Sequence, residues 1–189
     1  MKLYLTTIGI AMVVISLINI GFDTAAWHYV IISVIWCTAL QFVIDGGIAI
    51  LINKMPNGWF GVDSPHYRVS RWERELYRRL GVRRWKDKVW ELGGLGGFSK
   101  AKLTEPDNPV YIARFIIECN KGVITHRLSY FAGFLAMLTL PNVCAFTVAL
   151  PVGVVNLFLN ILPTIALRYN TPMLQSVLRG LKRHKNHNI

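Results

Sequence analysis

Residues 128–167 read LSYFAGFLAMLTLPNVCAFTVALPVGVVNLFLNILPTIAL, about 40 residues without a Lys, Arg, Asp or Glu. A helix needs roughly 20 apolar residues to cross the ~30 Å hydrocarbon core of a bilayer. The run therefore suits two short spans joined tightly, and Pro141-Asn142 and Pro151 offer the turn. Toward the N-terminus, Trp27 to Ile52 is a second apolar run broken only by Asp45, and Met1 to Phe22 carries one charge, Lys2. The first run is too long for the apolar region of a cleavable signal peptide and reads as a span. At 189 residues and 53% hydrophobic content, the expectation is an all-α integral membrane protein with a single domain over 1–189. It has four transmembrane helices, near 3–22, 27–52, 128–141 and 150–167.

Twenty of the 21 Lys and Arg fall in Lys54 to Arg127 and Arg168 to Lys185, and Lys2 is the exception. Short loops rich in Lys and Arg stay on the cytoplasmic side. The connections around Asp23 and around Pro141 to Pro151 contain neither residue. Both termini, the 54–127 segment and the 168–189 tail are thus expected on the cytoplasmic face of the cell membrane. The net charge of +11 then belongs to surfaces lying against lipid, which argues against nucleic acid as partner. Cys37, Cys119 and Cys144 form no C-x-x-C, and no His cluster has metal spacing, so the sequence calls for no metal and no cofactor.

Between the second and third spans, 54–127 reads as an interfacial segment with a cytoplasmic amphipathic helix. Ser70 and Glu73 have the spacing of a capping box. Trp72, Leu76, Tyr77 and Leu80 follow at helical intervals among Arg71, Arg74, Arg78 and Arg79. A basic helix with aromatic residues on its apolar side lies in a headgroup interface. The Gly93-Gly94-Leu95-Gly96-Gly97 run before Phe98-Ser99-Lys100 lacks a strand–helix setting, so it reads as a loop and not as a nucleotide site. Tyr111 to Arg127, apolar at Ile112, Phe115, Ile116 and Ile124, is expected to run into the third span.

Ionisable and amide groups within spans are costly and mark function by default. Asp45 and Asn160 each stand about 12 Å from the cytoplasmic end of their spans at ~1.5 Å per residue. His126 stands where the third span leaves the cytoplasm. Polar groups from three segments are thus expected to converge below the inner headgroups. The competing reading is packing, with Asp45 bonded to backbone and Asn160 joining helices. Glu118 and His126 are the best acid/base candidates. On one straight helix they lie about 12 Å apart. Either the helix breaks near Gly122, or a substrate spans them, or their roles differ. Cys119 and His126, about 10 Å apart on a helix, cannot form a nucleophile pair.

Three blocks stand in order along the chain. They are Val82-Arg83-Arg84-Trp85-Lys86-Asp87-Lys88, then Phe115-Ile116-Ile117-Glu118 with His126, then Asn160 leading to Arg168-Tyr169-Asn170 with Pro172 and Leu174. The set resembles the glycosyl-diaponeurosporenoate acyltransferase (CrtO-like) family over roughly residues 70–183. The resemblance implies transfer of a fatty acyl group onto a hydroxyl of a glycosylated lipid at the cytoplasmic membrane, in carotenoid biosynthesis. It makes His126 the group that draws the proton from the hydroxyl, with Glu118 as its catalytic companion. Trp85, Lys86, Asp87, Asp45, Asn160, Arg168, Tyr169 and Asn170 then bind substrate. The chain departs from the family where a second Glu stands three residues before the His and a Trp directly after it; here Val123 and Arg127 hold those places. Thr171 and Met173 replace the usual Arg residues beside Pro172.

The partners implied are membrane lipids, a glycosylated lipid acceptor and a thioester donor, acyl-CoA or acyl carrier protein. A homo-oligomer is compatible with these spans. The rival reading is a small non-catalytic scaffold or lipid-binding protein that uses Asp45 and Asn160 for assembly.

Overall fold

Two apolar runs emerge as helices in a computed structural model that describes residues 2–89 and 103–187. They are α1 (Lys2–Gly21) and α2 (Trp27–Lys54), joined by a turn in which Asp23 adopts a φ of 50°. Asp tolerates that left-handed conformation better than most residues. The polar segment forms α3 (Arg71–Arg79) and the short α4 (Val82–Trp85). Further on come α5 (Pro109–Ala132), α6 (Asn142–Cys144) and α7 (Leu150–His187), the last two linked by a wide π-helical stretch at Ala145–Ala149. No strand occurs among the described residues, so the all-α reading stands. Trp90, the Gly93–Gly97 loop and Phe98–Lys100 lie outside the described residues.

Four spans were expected, but three helices are long and apolar enough to cross: Tyr4–Gly21, Trp27–Lys54 and Ala145–His184. The missing one is 128–141. Its first residues complete α5, whose earlier turns carry Arg114, Glu118, Lys121 and Arg127, and Gly133–Thr139 continue as a 3-10 helix. That tighter helix rises ~2.0 Å per residue against ~1.5 Å, so 125–139 advance about 26 Å without a long apolar α-helix. Pro151, expected in the turn, lies instead in the first turn of α7, which also contains Pro163 and Pro172.

The chain divides into two compact units, Met1–Ile50 with Thr125–Ile161, and Leu51–Ile124 with Leu162–Ile189. The first is nearly devoid of charge, holding only Lys2, Asp23, Asp45 and Arg127. Ile15, Val34, Cys37, Ala136, Val148 and Val152 are buried together in it. Gly133 and Gly153 let the two arms of the 125–161 hairpin meet. A Cβ on Gly133 would lie 2.8 Å from Asn156 Nδ2, and one on Gly153 would lie 2.9 Å from the Phe134 ring. Small residues permit such close approach in lipid, where helix association depends on packing. Pro151 cannot donate to the Thr147 carbonyl four residues back. Asn19 Nδ2 donates there instead at 2.8 Å, and also to Ile15 O at 2.8 Å.

The second unit contains most of the basic residues of both stretches. Ile112, Phe115, Ile116 and Cys119 of α5 bury against Leu167, Leu174 and Leu178 of α7. α3 begins as expected, with Ser70 Oγ accepting from Glu73 N at 3.1 Å, and Gly81 ends it at a φ of 60°. Its apolar residues divide, however. Tyr77 packs with Val69 and Val82, while Trp72 is 73% exposed and Leu80 49%.

Candidate active site

Asp45, His126 and Asn160 come together within the first unit. Asp45 arrives on α2, His126 on α5 and Asn160 on α7. His126 Nδ1 lies 2.7 Å from Asn160 Oδ1. Asn160 Nδ2 donates to Asn156 O and Asn156 Oδ1, each at 3.0 Å, and to Asp45 Oδ2 at 3.3 Å. Three acceptors around one end of the amide require that end to be the NH2 group. The carbonyl oxygen therefore faces His126, and it can only accept. Nδ1 must then carry a proton, which leaves Nε2 as the ring nitrogen able to act as a base. An Asn carboxamide performs the same service in the Cys-His-Asn variant of the catalytic triad. The arrangement is a hydrogen-bonded chain from Asp45 through Asn160 to His126.

Two residues complete this cluster that the sequence did not single out, Asn156 and Ser129. Asn156 is buried and donates to Ser129 O at 3.4 Å. Ser129 and Asn156 both interact with Asp45. Asp45 Oδ1 and Ser129 Oγ are nonetheless buried without a hydrogen-bond partner. Gln41, also buried, donates to Gly133 O at 3.0 Å. The legible signal was the spacing of Asn156, Asn160, Thr164 and Arg168, four polar residues each four apart on one helix and all buried.

Glu118 does not join this chain. α5 runs through Gly122 without a break, and Glu118 stands in the second unit, 3.8 Å from Lys121 Nζ. Lys121 is buried, with Nζ 3.5 Å from Asn53 O and 5.7 Å from the centre of the Phe60 ring. Of the readings that the sequence left open for Glu118 and His126, different roles fit this geometry. Val123, where the family has its second Glu, is buried among Ile116, Cys119 and Leu167. No carboxylate stands there; Asp45 is the carboxylate joined to His126 through Asn160.

The other expected residues also lie in the second unit. Arg168 grips Glu73 by two contacts, Nε to Oε1 and Nη2 to Oε2 at 2.6 Å, and reaches Arg68 O at 3.3 Å. Its guanidinium is thus committed to holding α3 against α7. Tyr77 OH donates to the same Glu73. Burial works to raise the Glu73 carboxyl, but the bonds from Arg168 and Tyr77 outweigh it and hold the group below the ordinary carboxylate value. Burial and the neighbouring Glu73 push the Tyr77 phenol up. Trp85 donates from Nε1 to Leu80 O at 3.1 Å, and with Tyr169 it packs on the Val69, Tyr77 and Val82 cluster. Lys86 pairs with the exposed Asp87 at 2.8 Å. Asn170 Oδ1 is buried without a partner.

A sequence model described as glycosyl-4,4'-diaponeurosporenoate acyltransferase (CrtO) matches residues 56–180. No curated protein and no solved structure matches the chain. The matched region contains His126, Ser129, Asn156 and Asn160, together with α3, α4 and α5, but not Asp45. By this match over about two-thirds of its length, the chain belongs to the glycosyl-4,4'-diaponeurosporenoate acyltransferase family and is a membrane acyltransferase.

Proposed function

We propose that this protein moves a fatty acyl group from a thioester donor, acyl-CoA or acyl carrier protein, onto a hydroxyl of a glycosylated lipid, a glycosyl carotenoid or another glycolipid. The observation that carries this reading is the chain from His126 through Asn160 to Asp45, which engages Nδ1 and leaves Nε2 to act as the base. As the hydroxyl oxygen attacks the thioester carbonyl carbon, Nε2 takes its proton. The new C–O bond forms, the tetrahedral oxyanion collapses, the C–S bond breaks, and His126 returns the proton to the departing thiolate. Positioned proton transfer of this kind contributes about 10²–10⁴-fold.

An anionic donor reaching the membrane surface would be gathered by the arginines of α3 and α4. Trp72 and Leu80 lie exposed beside Arg71, Arg74 and Arg78, as a helix seated among lipid headgroups requires. Lys86, Asp87, Trp85, Tyr169 and Asn170 are the side chains we assign to the sugar and the donor head. Arg168 positions α3 through Glu73. Most residues of both basic stretches belong to one unit, which supports the 54–127 segment and the 168–189 tail lying together on the cytoplasmic side of the cell membrane.

The reading is tested with purified protein in lipid nanodiscs, a glucosyl lipid and an acyl-CoA or acyl carrier donor. Chromatography with mass spectrometry should find a glycolipid heavier by one fatty acyl unit. Absence of this product with both donors refutes transfer and favours the scaffold.

A further inference from the structure

A narrow groove, open on one side, lies within the first unit between α1, α2 and α7. Its walls are apolar, formed by Ile8, Ala11 and Ile15 of α1, Phe42 of α2, and Val152 and Val155 of α7. Its polar lining is Tyr4, Asp45 and Asn156, with Gln41 and Thr38 further along α2. Asp45 and Asn156 are the residues that hold Asn160, and through it His126. The end at Ile15 and Val152 adjoins the buried apolar core of Val34, Cys37 and Val148. Asp45 and Asn156 therefore join this largely apolar groove to the hydrogen-bonded chain that holds His126.

We infer that this groove holds the hydrocarbon tail of the fatty acyl group, carbonyl toward Asp45 and Asn160, tail end toward Ile15 and Val152. The inference rests on the acyl-transfer reading for its choice of ligand and on the groove for its placement. A bulk phospholipid, whose headgroup stays at the bilayer surface, fills only the apolar half of such a lane. A molecule with a linear tail and a polar reacting head fills both. Asp45, which lines the groove, has its Oδ1 buried without a partner and able to bond an incoming hydroxyl. From Tyr4 to Ile15 the lane runs about 16 Å at ~1.5 Å per residue. An extended alkyl chain with C–C bonds of ~1.5 Å advances about 1.25 Å per carbon, so about a dozen carbons lie inside. Most of the lining comes from α1 and α2, outside the region matched by the family, so chain-length preference is a property of this protein's own N-terminal helices.

Ala11 lies midway along the lane, and Ala11→Phe should block its far half. The test is photolabelling of purified protein with a long-chain fatty acid that carries a diazirine near its tail end. Peptide mapping should place the label on Met12, Ile15 and Val152 in the wild type, and Ala11→Phe should abolish it there. With turnover as readout, the same variant should favour shorter donors over longer ones by roughly tenfold, the discrimination a hydrophobic pocket gives for one or two methylenes. Ile8→Ala, which widens the lane, should shift the preference the other way and serves if Ala11→Phe does not fold. Label spread equally over the exposed Val13 and Leu17 overturns the proposal, as does an unchanged chain-length profile in both variants. Groove labelling without turnover counts against the transferase reading alone, and turnover without groove labelling counts against the groove alone.

Discussion

Replacing Asn160 by Ala tests whether that residue acts through His126. The side chain is buried, and four contacts depend on it: Nδ1 of His126, Oδ2 of Asp45, and O and Oδ1 of Asn156. Each polar group left unsatisfied inside the protein costs about 1–3 kcal/mol. With partial relaxation, Asn160→Ala should lower stability by about 2–4 kcal/mol. The rate loss has a separate origin. Without the carboxamide, the imidazole is free to rotate and to carry its proton on Nε2, so the basic nitrogen is no longer presented to substrate. A fall in kcat of about 10²-fold is expected, equivalent to about 2.7 kcal/mol in the barrier, with KM little changed. His126→Ala should cost about 10³-fold. Groups that act as a unit are strongly non-additive, so Asn160→Ala in the His126→Ala background should cost no more than about threefold further. The assay is initial-rate acyl transfer in nanodiscs, each variant normalised to folded protein by size exclusion. If the double variant loses the product of the two single losses, Asn160 does not work through His126 and the relay is wrong.

Other consequences follow from particular contacts. Removing one partner from the buried Glu73–Arg168 pair should destabilise by about 3–5 kcal/mol, while Glu73→Leu with Arg168→Met should cost less than either single change, as read by thermal unfolding in detergent. The Glu73 carboxyl titrates below its unfolded value, so its stabilisation is full above that unfolded value and is lost as pH falls through the folded one. Melting temperature should therefore decline below about pH 4.3 in the wild type and decline less in Glu73→Gln. Gly153→Ala places a methyl 2.9 Å from the Phe134 ring and should destabilise by about 1–3 kcal/mol without changing chain-length preference, measured by melting and product profile together. Cys37, Cys119 and Cys144 are buried, so Asn57→Cys and Arg183→Cys report sidedness cleanly. Both should react with an impermeant maleimide from the same side of the membrane; opposite sides would refute the proposed orientation.

Much of the architecture was legible because the bilayer imposes a strict length and polarity rule on the residues that cross it. Met1–Phe22 and Trp27–Ile52 became α1 and α2 almost at the expected bounds. The run from Leu128 to Leu167 was legible as apolar, but it does not form the two expected spans: Gly133–Thr139 coil as 3-10 helix and the long apolar helix begins at Ala145. Whether an apolar stretch coils as α, 3-10 or π depends on how closely Gly133 and Gly153 bring its arms together, and that is a tertiary property. Capping chemistry placed α3 at Ser70, yet nothing in the local sequence revealed that Glu73 also grips Arg168, 95 residues away. In the site, Asp45, His126 and Asn160 were legible by the cost of polar groups in lipid. Asn156 and Ser129 were not singled out because amides and hydroxyls are common between membrane helices. The resemblance assigned Arg168 to substrate, and its ion pair was not legible because Glu73 lies in a different segment.

The most direct test of the account compares lipid extracts, by mass spectrometry, from cells that contain the wild-type protein, the His126→Ala variant or neither. The account predicts a glycolipid heavier by one fatty acyl unit with the wild type alone, at equal membrane levels of both proteins. The same product at undiminished abundance with His126→Ala would contradict it.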